Sequence, residues 1–304
     1  MSTSASIQPT KVTFSNRCTT MAGHLFPSNM ENTKRYPALA VAHPFGGVKE
    51  QTAGVYAKQM AAKGYATLAF DASHQGESGG YPRDTENPAE RMEDIRCALD
   101  YLTTLPIVDE DRIGLLGICA GGSYSLGVAP TEIRAKAIAS VSLWDLGMMA
   151  REGWPTPYDR TSVLEALGKQ RTSEARGETI RKDPTFLKEK PKYLPQIIEE
   201  SYDYYRTPRA QYPTLRSVFI LTDFARLMDF NYYAQIETIA PRPVLFIVGT
   251  EAATVFMSKA GSDKAHQPKE WFEVPGATHH RLYDDEAGVG KAVGKLEEFF
   301  GRSL

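Results

Sequence analysis

Short, fully apolar segments alternate along this chain with longer amphipathic ones. Apolar runs of four to eight residues are typical of strands that are buried on both faces of a parallel sheet. They predict strands at residues 36–42, 65–70, 112–118, 135–143, 244–249 and 271–274, and a weaker alternation predicts an edge strand at 11–16. Because strands and helices alternate, we predict an α/β fold, with a mostly parallel central sheet and helices on both faces.

Three amphipathic segments predict helices. Residues 88–105 place apolar side chains, such as Ile95 and Leu99, at three- and four-residue spacing and charged side chains on the opposite face. Residues 50–63 have similar spacing and stop before Gly64, which suits a helix C-terminus. Residues 291–300 predict a last helix near the end of the chain.

Residues 151–240 interrupt this alternation. The segment is rich in charge, Pro and Tyr, and it shows helical pieces but no clear strand. We therefore expect a helical cap at 151–240, inserted between two strands of a core domain that residues 1–150 and 241–304 form. A length of 304 residues is sufficient for one large domain with such an insertion.

The main candidate for chemistry is Cys119, in Gly117-Ile118-Cys119-Ala120-Gly121, directly after a predicted strand. This is the pattern of a nucleophile elbow, with Cys in place of Ser. The flanking glycines are needed because a β-carbon there would collide with neighbouring backbone. The helix that follows directs its positive end at the sulfur, which favours the thiolate. A free Cys is more often a small core residue, but its place between strand and helix favours the nucleophile.

A nucleophile of this kind needs a base and, in a triad, an acid. His279, after the last predicted strand, is the candidate base, and the adjacent His280 stays an alternative. The acid is Glu251, after the strand at 244–249, or Asp145, after the strand at 135–143, with Glu251 slightly preferred. With a thiolate–imidazolium pair, the acid matters less than it does in a serine triad.

Two backbone N–H groups are expected to bind the oxyanion of a tetrahedral intermediate. One belongs to Ala120, the residue after the nucleophile. The other belongs to Phe45, in the loop His43-Pro44-Phe45-Gly46-Gly47, whose glycines allow the backbone to approach a substrate closely. We expect His43 to have a structural, hydrogen-bonding role.

Composition excludes several other classes of function. The net charge is −2, with no basic segment that indicates a nucleic-acid or anionic membrane partner. No apolar run approaches the roughly 20 residues that span a bilayer, and the Ser/Thr-rich start does not match a secretory signal. Three cysteines (Cys18, Cys97 and Cys119) are too few and too scattered for a disulfide framework or a zinc site. We therefore expect no cofactor, no metal, and a reducing, cytoplasmic location.

Three segments together resemble the dienelactone-hydrolase-like branch of the α/β-hydrolases, which has relatives among fungal polyketide transferases. They are residues 43–52, 71–79 and 117–121, and the resemblance extends over nearly the whole chain outside much of the cap. It implies Cys119 as nucleophile, His279 as base, and Phe45 and Ala120 as oxyanion donors. Ala252 stands where a dienelactone hydrolase carries Asp, so the resemblance leaves the acid open.

These residues predict a hydrolase that cleaves a small-molecule ester, thioester or lactone through an acyl-cysteine intermediate. An acyltransferase that uses the same site is the first alternative. A non-catalytic binding protein with the α/β-hydrolase fold is the second. The sequence pattern identifies neither the substrate nor the oligomeric state.

Overall fold

The computed structural model describes residues 7–27, 34–190, 193 and 195–304. The strands are β1 (Thr10–Asn16), β2 (Thr19–Phe26), β3 (Tyr36–Ala42), β4 (Ala66–Phe70), β5 (Val108–Ile118), β6 (Ala135–Val141), β7 (Lys182–Pro184), β8 (Val218–Ile220), β9 (Val244–Gly249) and β10 (Lys269–Val274). The helices are α1 (Thr52–Ala61), α2 (Pro88–Thr103), α3 (Ala120–Val128), α4 (Leu146–Glu152), α5 (Arg160–Ala175), α6 (Gln196–Arg206), α7 (Phe224–Asp229), α8 (Val255–Lys264), α9 (Arg281–Asp284) and α10 (Glu286–Ser303). Residues 1–6 of the Ser/Thr-rich start lie outside the described residues.

Eight strands form the central sheet, in the order β1-β2-β4-β3-β5-β6-β9-β10. The hairpin β1–β2 joins β4 antiparallel at one edge, and the other pairs are parallel. Every residue of β4 and β9 is buried, which explains why these strands are continuous apolar runs. The predicted α/β fold with a mostly parallel sheet is confirmed.

The helices that cover the sheet form two groups. Helix α1 contacts α9 and α10, while α2 contacts α3. The last helix is longer than predicted, from Glu286 to Ser303, because glycines at its start hide the helical pattern while Val289, Val293 and Leu296 still bury one face. None of the helices in the described ranges is both long and apolar enough to cross a bilayer.

Two features of the sheet and its insertion differ from the prediction. Strand β2 was not predicted, because Gly23 and His24 interrupt its apolar positions. Residues 151–240 do contain strands, so the expectation of none is wrong: β7 and β8 pair antiparallel. Each has only three residues, too few to produce a recognisable pattern. Since β6 and β9 are neighbours in the sheet, the chain between them is an insertion, whose domain limits stay a prediction.

Very close backbone packing occurs at the turn between β5 and α3. Cys119 occupies this turn with a φ of 57°, in the left-handed region that a side chain disfavours. A β-carbon on Gly121 would lie 2.2 Å from the carbonyl oxygen of Ala42, at the end of β3. Only glycine therefore lets α3 begin this close to the sheet.

The close contact at Gly121 predicts that a glycine-to-alanine substitution destabilises the protein there but not at an open helical position. We expect Gly121→Ala to lower the free energy of unfolding by about 3 kcal/mol, because backbone must move to admit the methyl group. The matched control is Gly294→Ala, in α10, where an added β-carbon meets no atom within 4 Å. That variant should raise the free energy of unfolding by about 1 kcal/mol, since Ala has a higher helix propensity than Gly. Urea unfolding measures the free energy of unfolding of both variants. Equal changes in the two variants would contradict the steric role of Gly121.

Candidate active site

Five loops meet at the edge of the sheet where the parallel strands end. Phe45 follows β3, Cys119 follows β5, Asp145 follows β6, Thr254 follows β9 and His279 follows β10. The C-terminal edge of an open α/β sheet is where such folds form their binding sites, because successive loops converge there. The candidate site is therefore assembled from loops of one sheet edge.

Cys119 and both predicted oxyanion donors lie together. The Cys119 side chain is buried, and the residue is 6% exposed. The backbone N–H groups of Phe45 and Ala120 both donate hydrogen bonds to its sulfur. A carbonyl group attacked by this sulfur would bring its oxygen close to the same two donors, which is the arrangement that an oxyanion hole requires.

The burial of the site determines its charge state. Burial raises the pKa of the Cys119 thiol to about 11, against the opposing effect of its hydrogen-bond donors. Burial, with a smaller effect of His280, holds the pKa of His279 well below its ordinary value. Both shifts favour the uncharged forms of the thiol and the imidazole at neutral pH. These shifts favour a neutral pair over the predicted thiolate–imidazolium pair in the free site, because desolvation outweighs the positive end of α3.

The imidazole of His279 is held by two hydroxyl groups. Its Nδ1 lies 2.7 Å from the Oγ1 of Thr254, and its Nε2 lies 3.0 Å from the hydroxyl oxygen of Tyr283. The indole of Trp144 stands edge-on to the ring, with centroids 5.4 Å apart. Tyr283 in turn is a hydrogen-bonding neighbour of the Cys119 sulfur. The structure thus connects the predicted nucleophile and base through a tyrosine.

Sequence reasoning missed both hydroxyl partners. Tyr283 follows His279 by four residues, a spacing that places two side chains on one face of a helical turn. That spacing is the signal that could have identified it. Thr254 lies in the loop after β9, and a hydroxyl there was not predicted because the third member of a triad is usually a carboxylate.

Neither predicted acid contacts His279 in the part of the chain that the structure describes. Glu251 is exposed, since its loop turns the side chain to solvent. Asp145 is fully buried and caps α4, where its Oδ1 accepts the N–H of Met148 at 3.0 Å and its Oδ2 has no partner. Burial raises the pKa of Asp145 to about 6. The predicted histidine–acid contact is wrong in this structure, because one carboxylate is solvated and the other is engaged by its own helix.

The alternative base His280 is directed at the inserted segment. Its Nε2 lies 3.2 Å from the Oγ of Ser201, and its Nδ1 lies 3.5 Å from a carboxylate oxygen of Glu200. Both partners belong to α6, so His280 links the loop after β10 to the insertion. It still reaches the cavity described below.

Buried polar contacts fix the loop that carries Phe45. The Nη2 of Arg91 donates to the carbonyl oxygen of His43 at 2.7 Å, and the backbone N–H of Ala72 donates to the Nε2 of His43 at 3.0 Å. Farther along, the backbone N–H and the Nζ of Lys49 each donate to the Asp71 carboxylate at 2.8 Å. The predicted structural role of His43 is confirmed. The loop is held at both ends, so the Phe45 amide keeps its position.

A cavity of about 340 Å³ lies over Cys119. Its walls come from the sheet edge and from the inserted segment, which roofs the site. Apolar side chains dominate the lining: Phe45, Trp144, Leu146, Met149, Pro155, Pro184, Phe186, Leu187, Pro195 and Ile198. Among the described residues that line it, none is Lys, Arg, Asp or Glu. Such a cavity accommodates an uncharged, mainly apolar group.

One group of possible metal ligands occurs among the described residues, away from this cavity. It consists of His24, Glu50 and Glu77. The buried ammonium of Lys49 lies 2.7 Å from each of the two glutamates. Because Lys49 already pairs with both glutamates, and Lys11 also pairs with Glu77 at 3.2 Å, the group is explained as part of an ion-pair network.

Comparison with known proteins adds to this geometry. The sequence model of the alpha/beta hydrolase family matches residues 35–292. The uncharacterized protein YcjY of Escherichia coli K12 is 40% identical over 283 residues, which are 92% of this chain and 92% of YcjY. The crystal structure of the hypothetical protein PA2218 from Pseudomonas aeruginosa matches with a TM-score of 0.92 and 35% identity, over 100% of this chain and 96% of that one.

A relative that is named as an acyltransferase is more distant. The acyltransferase drtE of Aspergillus calidoustus is 26% identical over 286 residues, which are 88% of this chain and 87% of that protein. The family model covers most of the chain, and the sheet order and the turn at Cys119 agree with it. The chain belongs to the alpha/beta hydrolase family.

Proposed function

We propose that this chain cleaves an ester, thioester or lactone through an acyl-enzyme intermediate on Cys119. The observation that carries the proposal is the convergence of the Phe45 and Ala120 N–H groups on the Cys119 sulfur. Two fixed donors at a strained turn, beside a buried histidine, match the needs of acyl transfer. A small core cysteine needs no such donors.

The proposed reaction begins from a neutral site. The Cys119 sulfur attacks the carbonyl carbon while its proton is transferred towards His279, and the two N–H groups bind the developing oxyanion. The protonated imidazole then supplies the proton to the leaving group. In the second half, His279 activates water, which releases the acid and restores the thiol.

The lining of the cavity supports an uncharged acyl group as the substrate class. An acyl chain that lies against Phe45, Met149 and Phe186 would bury apolar surface at no electrostatic cost. A charged chain would lose its hydration, and the described lining offers no Lys, Arg, Asp or Glu to pair with it.

Acyl transfer to an alcohol or amine is the second candidate. The inserted segment roofs the cavity, and a site that excludes water favours another acceptor over hydrolysis. The relative drtE is itself described as an acyltransferase. Product analysis with and without added alcohols and amines separates the two: transfer yields the new ester or amide, whereas hydrolysis yields only the free acid.

The nucleophile is tested with 4-nitrophenyl butyrate. We expect Cys119→Ala to lower kcat/KM by at least about a thousandfold, because the acyl-enzyme cannot form. Cys18→Ala, at an exposed cysteine outside the site, is the control and should match the parent protein. Full activity in Cys119→Ala would refute the proposal. If the parent protein is inactive on a panel of esters and thioesters and forms no acyl adduct by intact mass, a binding function is favoured instead.

The acyl group is tested with two esters of equal chain length. The parent protein should cleave 4-nitrophenyl butyrate with a kcat/KM at least about tenfold higher than the mono-4-nitrophenyl ester of succinate, whose carboxylate would be buried unpaired. Initial rates of 4-nitrophenolate release measure both constants. A preference for succinate would contradict the proposed substrate class.

The charge state of the thiol is tested by alkylation in the absence of substrate. The pKa of Cys119, raised to about 11, means that the reactive thiolate is a small fraction at pH 7 and increases as the pH rises. We expect the rate constant for iodoacetamide labelling of Cys119 to rise about tenfold per pH unit between pH 7 and 9.5. Peptide mass mapping measures it separately for each cysteine. A rate that levels off below pH 8 would indicate the thiolate–imidazolium pair.

A further inference from the structure

The side chain of Tyr283 occupies the position between the proposed nucleophile and the proposed base. Its hydroxyl oxygen lies 3.0 Å from the Nε2 of His279, and it is a hydrogen-bonding neighbour of the Cys119 sulfur. The residue is 1% exposed, so bulk water does not replace it. Helix α9 sets this position, because its first turn carries Tyr283 back over His279.

The histidine makes no direct hydrogen bond with the sulfur in the described structure. The Nδ1 of His279 is engaged with Thr254 and the Nε2 with Tyr283. A base must lie within hydrogen-bond reach of the group that it deprotonates, directly or through one intermediary. Here the hydroxyl of Tyr283 is placed as that intermediary.

We propose that the Tyr283 hydroxyl transfers the proton between Cys119 and His279 during acyl transfer. The inference rests on the proposed function, since it assigns a role within that reaction. As the S–C bond forms, the S–H bond of Cys119 breaks and its proton passes to the phenol oxygen. The phenol's own proton passes to the Nε2 of His279, and the carbonyl π electrons move to the oxygen that the Phe45 and Ala120 N–H groups bind.

The second half of the step restores every group. When the tetrahedral intermediate collapses, the bond to the leaving oxygen or sulfur breaks, and that atom takes up a proton that His279 returns through the same hydroxyl. Tyr283 begins and ends as a neutral phenol, so no oxidant, reductant or added base is needed. A phenol can accept one proton and donate another because its oxygen is both donor and acceptor.

The surroundings of Tyr283 suit a relay. Burial raises its pKa well above the ordinary value, which keeps the hydroxyl protonated. Its hydroxyl also hydrogen-bonds Tyr205, on α6 of the inserted segment, which lines the same cavity. The ring of Tyr204 packs edge-on against the Tyr283 ring, with centroids 4.9 Å apart. These contacts restrict the hydroxyl to the space between sulfur and imidazole.

The test compares Tyr283→Phe with Tyr204→Phe. Both variants remove one buried hydroxyl from the same aromatic cluster, but Tyr204 does not line the cavity over Cys119. The readout is the first turnover of 4-nitrophenyl butyrate, measured as the burst of 4-nitrophenolate. We expect Tyr283→Phe to lower the saturating acylation rate constant by about a hundredfold, with the half-saturating concentration within about twofold. Tyr204→Phe should keep the parent rate constant.

A second measurement uses the parent protein alone, so it does not depend on how a variant folds. The acylation rate constant is measured in mixtures of H2O and D2O. A thiol itself prefers protium over deuterium, so each rate constant is first corrected for this equilibrium preference of Cys119. In the corrected data, two protons in flight predict a curved, bowl-shaped dependence on the deuterium fraction, whereas direct transfer from Cys119 to His279 predicts a straight line. A straight line would overturn the relay.

The outcomes distinguish this inference from the proposed function. If Cys119→Ala loses activity while Tyr283→Phe acylates as fast as the parent protein, the relay is wrong and the proposed function stands. Equal losses in Tyr283→Phe and Tyr204→Phe would also overturn the relay, because they indicate a packing effect. If Cys119→Ala keeps full activity, the proposed function itself fails.

Discussion

The close approach of α3 to the end of β3 is the contact on which the site depends. Gly121 lies against the carbonyl oxygen of Ala42, where no side chain fits. This contact forces Cys119 into a left-handed conformation and fixes the amide of Ala120 at the start of the helix. Because β3 leads directly into the loop of Phe45, the same contact also sets the distance between the two N–H groups. One steric constraint thus aligns the sulfur and both donors.

The packing that forms the site also shields it from bulk water. This shielding explains why the hydrogen-bonding partners of His279 are neutral hydroxyl groups. A buried carboxylate beside His279 would have to be desolvated, and Asp145, with its raised pKa, shows how unfavourable burial is for such a group. Hydroxyl groups orient an imidazole without this penalty. Thr254 and Tyr283 hold the two ring nitrogens, in a site whose burial favours a neutral thiol and a neutral imidazole. Charge in the proposed reaction therefore develops only when a substrate is bound.

The inserted segment bears on the proposed alternatives of hydrolysis and acyl transfer. It leaves the sheet between two neighbouring strands, so its movement need not disturb the sheet. Its helix α6 brings Tyr205 and Ser201 to the cavity, where they contact Tyr283 and His280. Hydrogen bonds thus connect the inserted segment to the residues that follow β10. In the proposed reaction, the access of water or another acceptor would depend on how closely α6 packs against those residues.

The sequence by itself determined the elements whose signal is local. Strands such as β4 and β9 are buried on both faces, so their apolar runs were sufficient, whereas β2 and the three-residue β7 and β8 left no comparable pattern. The elbow around Cys119 was also evident, because its glycines are a local steric requirement. Only the tertiary structure decided the partners of His279 and the charge of the thiol. Those depend on which loops meet at the sheet edge and on how much water they exclude, and neither quantity is encoded in the spacing of neighbouring residues.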